Sequence, residues 1–188
     1  MKKIYFVEKS IPFNCSDINK PFIGGSEKTL INISNELGNF QNITVKVFNK
    51  TERNKKVNNV EWININNISL KDHPDVLISM SDANLLSLFN CKNNYLWSHS
   101  IQSIEKFIRK GQLISYLKYK PKIIILGRYH EKNRNFLLKM FGTINLEWAV
   151  DPLFLEAKLD ENLIENRAIF TSRRDRNLDL LIKLWIKN

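Results

Sequence analysis

Gly24-Gly25-Ser26-Glu27 stands between an apolar run at residues 3–7 and a stretch with Leu30, Ile33 and Leu37 at helical spacing, stopped at Gly38. The spacing predicts strand, loop and helix, with Ser26 as the helix cap. Two glycines at a helix N-terminus let the backbone come close to a ligand. The free N–H groups and the positive dipole end attract phosphate there. The same residues also suit a plain tight turn, in which Glu27 only stabilises the dipole. Two other polar clusters follow apolar runs: residues 79–82 and Ser98-His99-Ser100.

The elements that must position these residues alternate. Strands are expected at residues 3–7, 43–48, 60–65, 75–79, 95–98, 122–126 and 143–146. Helices are expected from Ser26 to Gly38, after Asp82 with Leu85, Leu86 and Phe89 inward, and around Ile101, Ile104, Phe107 and Ile108. A further helix over residues 129–141 turns Phe136, Leu137 and Met140 inward. Residues 49–59 read as a surface loop or hairpin. Repeated strand–helix units with near-continuous apolar strands point to an α/β fold, a parallel sheet with helices on both faces. Ligands in such sheets bind at the carboxyl ends of the strands. The three polar clusters fall there and can converge on one cleft.

The chain has 188 residues, 43% of them hydrophobic, enough to build a core. No apolar run reaches the roughly 18 residues of a membrane span. The basic start Met1-Lys2-Lys3 is followed by an apolar stretch that stops at Glu8, so no secretory leader is expected. Cys15 and Cys91 lack metal-ligand spacing and suit a reducing cytoplasm. The net charge of +10 implies an anionic partner: nucleic acid, a membrane surface or a phosphorylated substrate. Between Ser103 and Met140, Lys106, Arg109, Lys110, Lys118, Lys120, Lys122, Arg128, Lys132, Arg134 and Lys139 face only Glu105 and Glu131. A solvated basic face accounts for this equally well.

From residue 150 the text changes. Asp151-Pro152 and nearby acidic residues read as a linker over 150–166. Residues 167–171 read as a strand, and Leu178, Leu181, Ile182 and Trp185 as a helical stripe that needs a partner. The expected organisation is one domain over 1–149, the linker, and over 167–188 the first strand–helix unit of an incomplete second domain. A fragment of a longer chain is the favoured explanation.

With these segments placed, the chain resembles the N-terminal half of a group 1 (family 4) glycosyltransferase of the GT-B type, a Rossmann-like fold. Gly24-Gly25-Ser26-Glu27 is similar to that family's Gly-Gly-x-Glu loop, Asp75-Val76-Leu77-Ile78 to its Asp-Val-Val strand, and Trp97-Ser98-His99 to its Trp-x-His segment. Asp151-Pro152-Leu153-Phe154 is similar to its interdomain linker. The run Thr171-Ser172-Arg173-Arg174-Asp175-Arg176-Asn177-Leu178-Asp179-Leu180-Leu181 resembles the opening of its C-terminal domain. Asn177 stands where that pattern has Gly, and Ala149 precedes Val150 where it has Asn-Gly.

The resemblance implies a retaining, metal-independent transfer from a sugar nucleotide to a saccharide or lipid-linked acceptor in cell-surface glycan assembly. It needs no cofactor beyond the donor substrate, and no Asp-x-Asp triplet is present to suggest a metal. By the resemblance His99 is the catalytic-cleft histidine, hydrogen-bonding a sugar hydroxyl. Gly24, Gly25 and Glu27 lie against donor or acceptor, and Arg173 and Arg176 face the phosphates, a task suited to the guanidinium fork. His99 also suits a structural strand end, and the arginines a solvated loop. Ile101, Ile104, Phe107 and Ile108 with Lys106, Arg109 and Lys110 can sit at an anionic bilayer, which implies a cytoplasmic protein peripheral on the membrane's inner face. That same apolar stripe also suits the core of a doubly covered sheet. The competing functions are a non-catalytic α/β interaction module or remnant, and a basic nucleic-acid-binding protein. No nucleic acid is expected, because no recognition signature accompanies the charge.

Overall fold

The computed structural model describes residues 1–69, 72–147 and 178–187. The chain divides into two compact units, Met1–Trp148 and Ala149–Asn188. In the first, the elements are β1 (Lys2–Val7), α1 (Gly25–Gly38), β2 (Ile43–Asn49), β3 (Lys55–Val57), β4 (Val60–Asn64), β5 (Val76–Met80), β6 (Asn94–Trp97), α2 (Ile104–Arg109), α3 (Leu113–Tyr119), β7 (Lys122–Ile125), α4 (Arg128–Lys132) and β8 (Thr143–Asn145). The second unit is described only by helix α5 (Leu178–Lys187). Its Leu181, Ile182 and Trp185 are 39%, 46% and 53% exposed. The strand expected at 167–171 and the linker at 150–166 lie outside the described residues.

The strands form one sheet in the order β3-β4-β2-β1-β5-β6-β7-β8. All neighbours are parallel except β3, which turns antiparallel onto β4. The fold is therefore α/β and Rossmann-like. Strand alternation sorts the apolar residues onto two faces. Phe6, Val45, Val47 and Trp62 pack with Leu30 and Ile31 of α1 on one face. Tyr5, Val7 and Leu77 pack with Leu85, Leu86 and Phe89 on the other. Farther along that second face, Leu96, Ile123 and Ile125 meet Phe107 of α2 and Tyr116 of α3.

Asn58 and Asn59 take φ of +49° and +61°, the left-handed pair that a two-residue hairpin needs. The end of α1 packs on this turn. A Cβ on Gly38 would lie 2.5 Å from the Asn58 carbonyl oxygen, which only glycine avoids.

Several expectations are corrected. Gly24, in extended backbone, is the N-cap of α1, and Ser26 lies inside the first turn. Asp82 caps as expected, but over a 3-10 helix (Ala83–Leu88). The helix expected over 129–141 is broken, because Asn133 ends α4 and the Asn135 side chain accepts from Leu137 N–H to start a separate 3-10 helix, Phe136–Lys139. That tighter winding turns Leu138 inward and leaves Phe136, Leu137 and Met140 75%, 43% and 59% exposed. Helix α3 was not among the expected elements. It docks through Tyr116, whose ring meets Phe107 at 5.0 Å. Of the stripe around α2, Phe107 is buried and Ile104 packs beside it. Ile101 lies outside the helix and Ile108 is 61% exposed, so the stripe is not all core. Among the described residues no helix is long and apolar enough to cross a membrane.

Candidate functional site

Strand β1 has β2 on one side and β5 on the other: the chain winds outward from β1 through β2 to β4, then crosses back to continue on the other side of β1 with β5. A crevice opens at the carboxyl ends of strands at such a switch point. A cleft of about 150 Å³ is found there, lined by Glu8, Ser10, Ser26, Glu27, Met80, Ser81 and His99. Glu8 and Ser10 follow β1, Ser26 and Glu27 open α1, Ser81 follows β5, and His99 follows β6.

The polar groups form a short chain of hydrogen bonds. Ser10 N–H donates to Glu8 Oε1 at 2.6 Å, and Ser10 Oγ donates to Glu27 Oε1 at 3.2 Å. Ser26 Oγ donates to Glu27 Oε2 at 2.9 Å. Glu8 Oε2 is buried without a hydrogen-bond partner. Burial pushes the Glu8 carboxyl above its ordinary range, and the neighbouring Glu27 adds to this. His99 stacks on Trp97, with ring centroids 5.6 Å apart and planes at 15°. Burial lowers its pKa below the ordinary 6.5, only partly offset by Glu27. It is therefore a neutral imidazole at pH 7, with one donor and one acceptor nitrogen.

Ser81 holds φ at +58°, a left-handed conformation uncommon for a non-glycine residue. Its N–H donates to the Trp97 carbonyl at 2.9 Å, tying the ends of β5 and β6 together beneath the cleft. The flanking polar residues brace the loops. Ser79 Oγ donates to the Asp82 carbonyl, and Ser98 Oγ accepts from Gln102 Nε2 while donating to the Ser100 carbonyl.

Glu27 and His99, singled out in the sequence, are thus brought to one cleft, with Gly24 capping and Gly25 opening the helix turn that carries Glu27. Neither glycine has a positive φ, so backbone conformation does not demand them. A Cβ on Gly25 would meet nothing within 4 Å, whereas one on Gly24 would crowd only the flexible Glu27 carboxylate at 2.7 Å. Arg173 and Arg176 lie outside the described residues. Lys106, Arg109 and Lys110 sit on and just after α2, away from the cleft lining. Lys106 donates to Ser100 Oγ and is partly buried, while Arg109 and Lys110 are exposed.

Glu8 and Ser10 were missed. The available signal was a carboxylate directly after the buried apolar run of β1, a place where burial of a charge needs a reason. No Lys or Arg lines the cleft. At roughly 30 Å³ per water it holds about five waters' worth of space. Among the described residues no group of three or more His, Cys, Asp or Glu side chains could hold a metal ion. No protein-family model, curated protein or solved structure matches the chain.

Proposed function

We propose that this chain carries the acceptor-side unit of a glycosyltransferase, retaining and metal-independent, that moves a sugar from a sugar nucleotide to a saccharide or lipid-linked acceptor. The observation that carries this is the cluster of two carboxyls, three serine hydroxyls and a neutral imidazole at the β1/β5 switch point, with no Lys or Arg among them. Such a lining repels phosphate and accepts hydroxyl protons. It suits a polyhydroxylated ligand.

In the transfer, the acceptor oxygen bonds to the sugar's anomeric carbon on the face the diphosphate leaves, the diphosphate departs with the bonding pair, and the acceptor hydroxyl's proton passes to a departing diphosphate oxygen. Glu27, with both oxygens already oriented by Ser10 and Ser26, accepts from and aligns a sugar hydroxyl. His99 donates to or accepts from another. Holding hydroxyls in a fixed orientation is the kind of positioning that lowers such barriers. Neutralising the diphosphate falls to groups outside this cleft, for which Arg173 and Arg176 are the candidates by resemblance.

A lipid-linked acceptor fits a second feature. Ile108, Ile114 and Leu117, on the packed pair α2 and α3, are 61%, 81% and 46% exposed. Arg109, Lys110 and Lys118 stand beside them in sequence, the mixture that anchors a protein at an anionic bilayer.

The test is transfer of labelled sugar from a panel of sugar nucleotides to saccharide and lipid-linked acceptors by the intact gene product. Turnover that falls at least about a hundredfold in His99→Ala supports the proposal. Turnover with no donor, or turnover indifferent to His99 and Glu27, contradicts it.

A further inference from the structure

Resting on the hydroxyl-binding reading of the switch-point cleft, we propose that the acceptor is an oligosaccharide with a neutral unit in that cleft and a carboxylate-bearing unit in a second cavity beyond the end of β1. This cavity, of about 690 Å³, is the larger of the two and falls in the usual range of ligand pockets. One loop contributes to both linings: Ser10 to the first and Ile11 to the second.

The cavity is built rather than incidental. Its walls are the loop after β1 and the loop after β2, and three bonds pin them. Asn49 Nδ2 donates to the Phe13 carbonyl at 2.7 Å, Lys55 Nζ to Ser16 Oγ at 2.6 Å, and Asn64 Nδ2 to the Thr51 carbonyl at 2.6 Å. A clamped cavity binds without the cost of ordering its loops.

The lining chemistry selects the ligand. Phe22 is 55% exposed at the rim, a flat apolar face on which the C–H side of a sugar ring can stack. Asn14 and Asn54 offer amide N–H donors for hydroxyls, their oxygens already accepting from Ser16 N–H and Asn64 N–H. The charge balance is positive. Asp17 is already taken by Lys20 at 2.6 Å and by the Asn14 N–H at 2.8 Å. Glu52 is then opposed by Lys55 and by Arg53, and Arg53 has no carboxylate partner among the described residues. An exposed guanidinium lining the same cavity as an aromatic ring fits a carboxylate-bearing sugar, because its fork matches a carboxylate.

The experiment is calorimetric titration of the full chain at pH 7 with glucose, with an acidic tetramer (maltotetraose with glucuronic acid as one terminal unit), and with neutral maltotetraose. We expect the acidic tetramer to bind about tenfold or more tighter than glucose and than maltotetraose. Phe22→Ala and Arg53→Gln, both at exposed positions, should each weaken the acidic tetramer about tenfold and leave glucose unchanged. Equal affinity for glucose and the acidic tetramer, equal affinity for maltotetraose, or indifference to both substitutions overturns the inference while leaving the switch-point cleft standing. Tetramer binding that needs Phe22 and Arg53 but not Glu27 or His99 supports the cavity and removes the cleft reading. No binding by any of these sugars overturns the inference outright.

Discussion

The His99 imidazole lies on the face of the Trp97 indole, centroids 5.6 Å and planes 15° apart, where β6 ends. The two residues are two apart along the chain, the spacing at which side chains of an extended backbone share a side. The stack strips water from one face of the imidazole and favours its uncharged form.

That geometry sets a pH dependence. His99 has its folded pKa below the ordinary 6.5 through burial, so above 6.5 neither state holds the proton. As pH falls below 6.5 the unfolded chain takes up a proton that the folded chain refuses, and stability drops. Glu8 works in the opposite sense, because burial raises its carboxyl above the ordinary 4.5. Its cost is absent below 4.5 and grows as pH rises until the folded carboxyl ionises. In denaturant titrations from pH 4 to 8, His99→Gln should flatten the fall below 6.5. Glu8→Gln should gain stability relative to the wild type as pH rises from 4.5 to 7. Neither slope can exceed about 1.4 kcal/mol per pH unit for one group. A wild-type curve unchanged by either substitution refutes these assignments.

The glycines separate structure from ligand contact. Gly38→Ala forces a Cβ to within 2.5 Å of the Asn58 carbonyl oxygen and should cost about 1–3 kcal/mol of unfolding free energy. Gly25→Ala meets nothing within 4 Å and should be neutral or slightly stabilising. Saccharide affinity should nonetheless fall in Gly25→Ala, if the backbone there closes on the ligand. A stable Gly25→Ala variant with unchanged affinity removes Gly25 from the site.

Ser81 carries strain at the cleft. Ser81→Gly relieves the +58° φ and should be at least as stable as the wild type. Ser81→Val places a β-branched side chain in the left-handed region and should lose about 1–2 kcal/mol. Both should weaken saccharide binding by removing the hydroxyl. Thermal unfolding and a binding titration on the pair decide it, and equal stabilities would show that no strain is held there.

The basic face makes a separable prediction. Ile108→Asp together with Ile114→Asp should abolish flotation of the chain with vesicles containing anionic lipid, leaving its melting temperature within a few degrees. Flotation of the wild type should also weaken with salt, each nearby Arg or Lys being worth about 1 kcal/mol at low ionic strength. Wild-type protein that ignores anionic vesicles has no such surface.

The strands were legible in the sequence because parallel strands are apolar on both faces. Runs such as Ile123-Ile124-Ile125 admit little else, and Asp82 and Gly38 marked boundaries through their own chemistry. Helices near Asn-rich segments were not. Asn133 and Asn135 offer the backbone side-chain partners that compete with helical bonds, and so split one expected helix into two short turns. Helix α3 escaped because only Tyr116 of its seven residues is buried, too little for a visible stripe. Glu27 and His99 were found through flanking motifs. Glu8 and Ser10 were not, because their approach to Glu27 depends on how the loop after β1 folds back over α1, and local spacing does not encode that return.

The most direct test of the central claim is a heteronuclear NMR titration of the full chain with saccharides and, separately, with inorganic phosphate. The account predicts that saccharide shifts the amide signals of Ser10, Gly25 to Glu27, Ser81 and His99, that Glu27→Gln weakens this about tenfold, and that phosphate leaves those signals still. Phosphate shifting that set while saccharide does not would contradict a hydroxyl-binding cleft at the β1/β5 switch point.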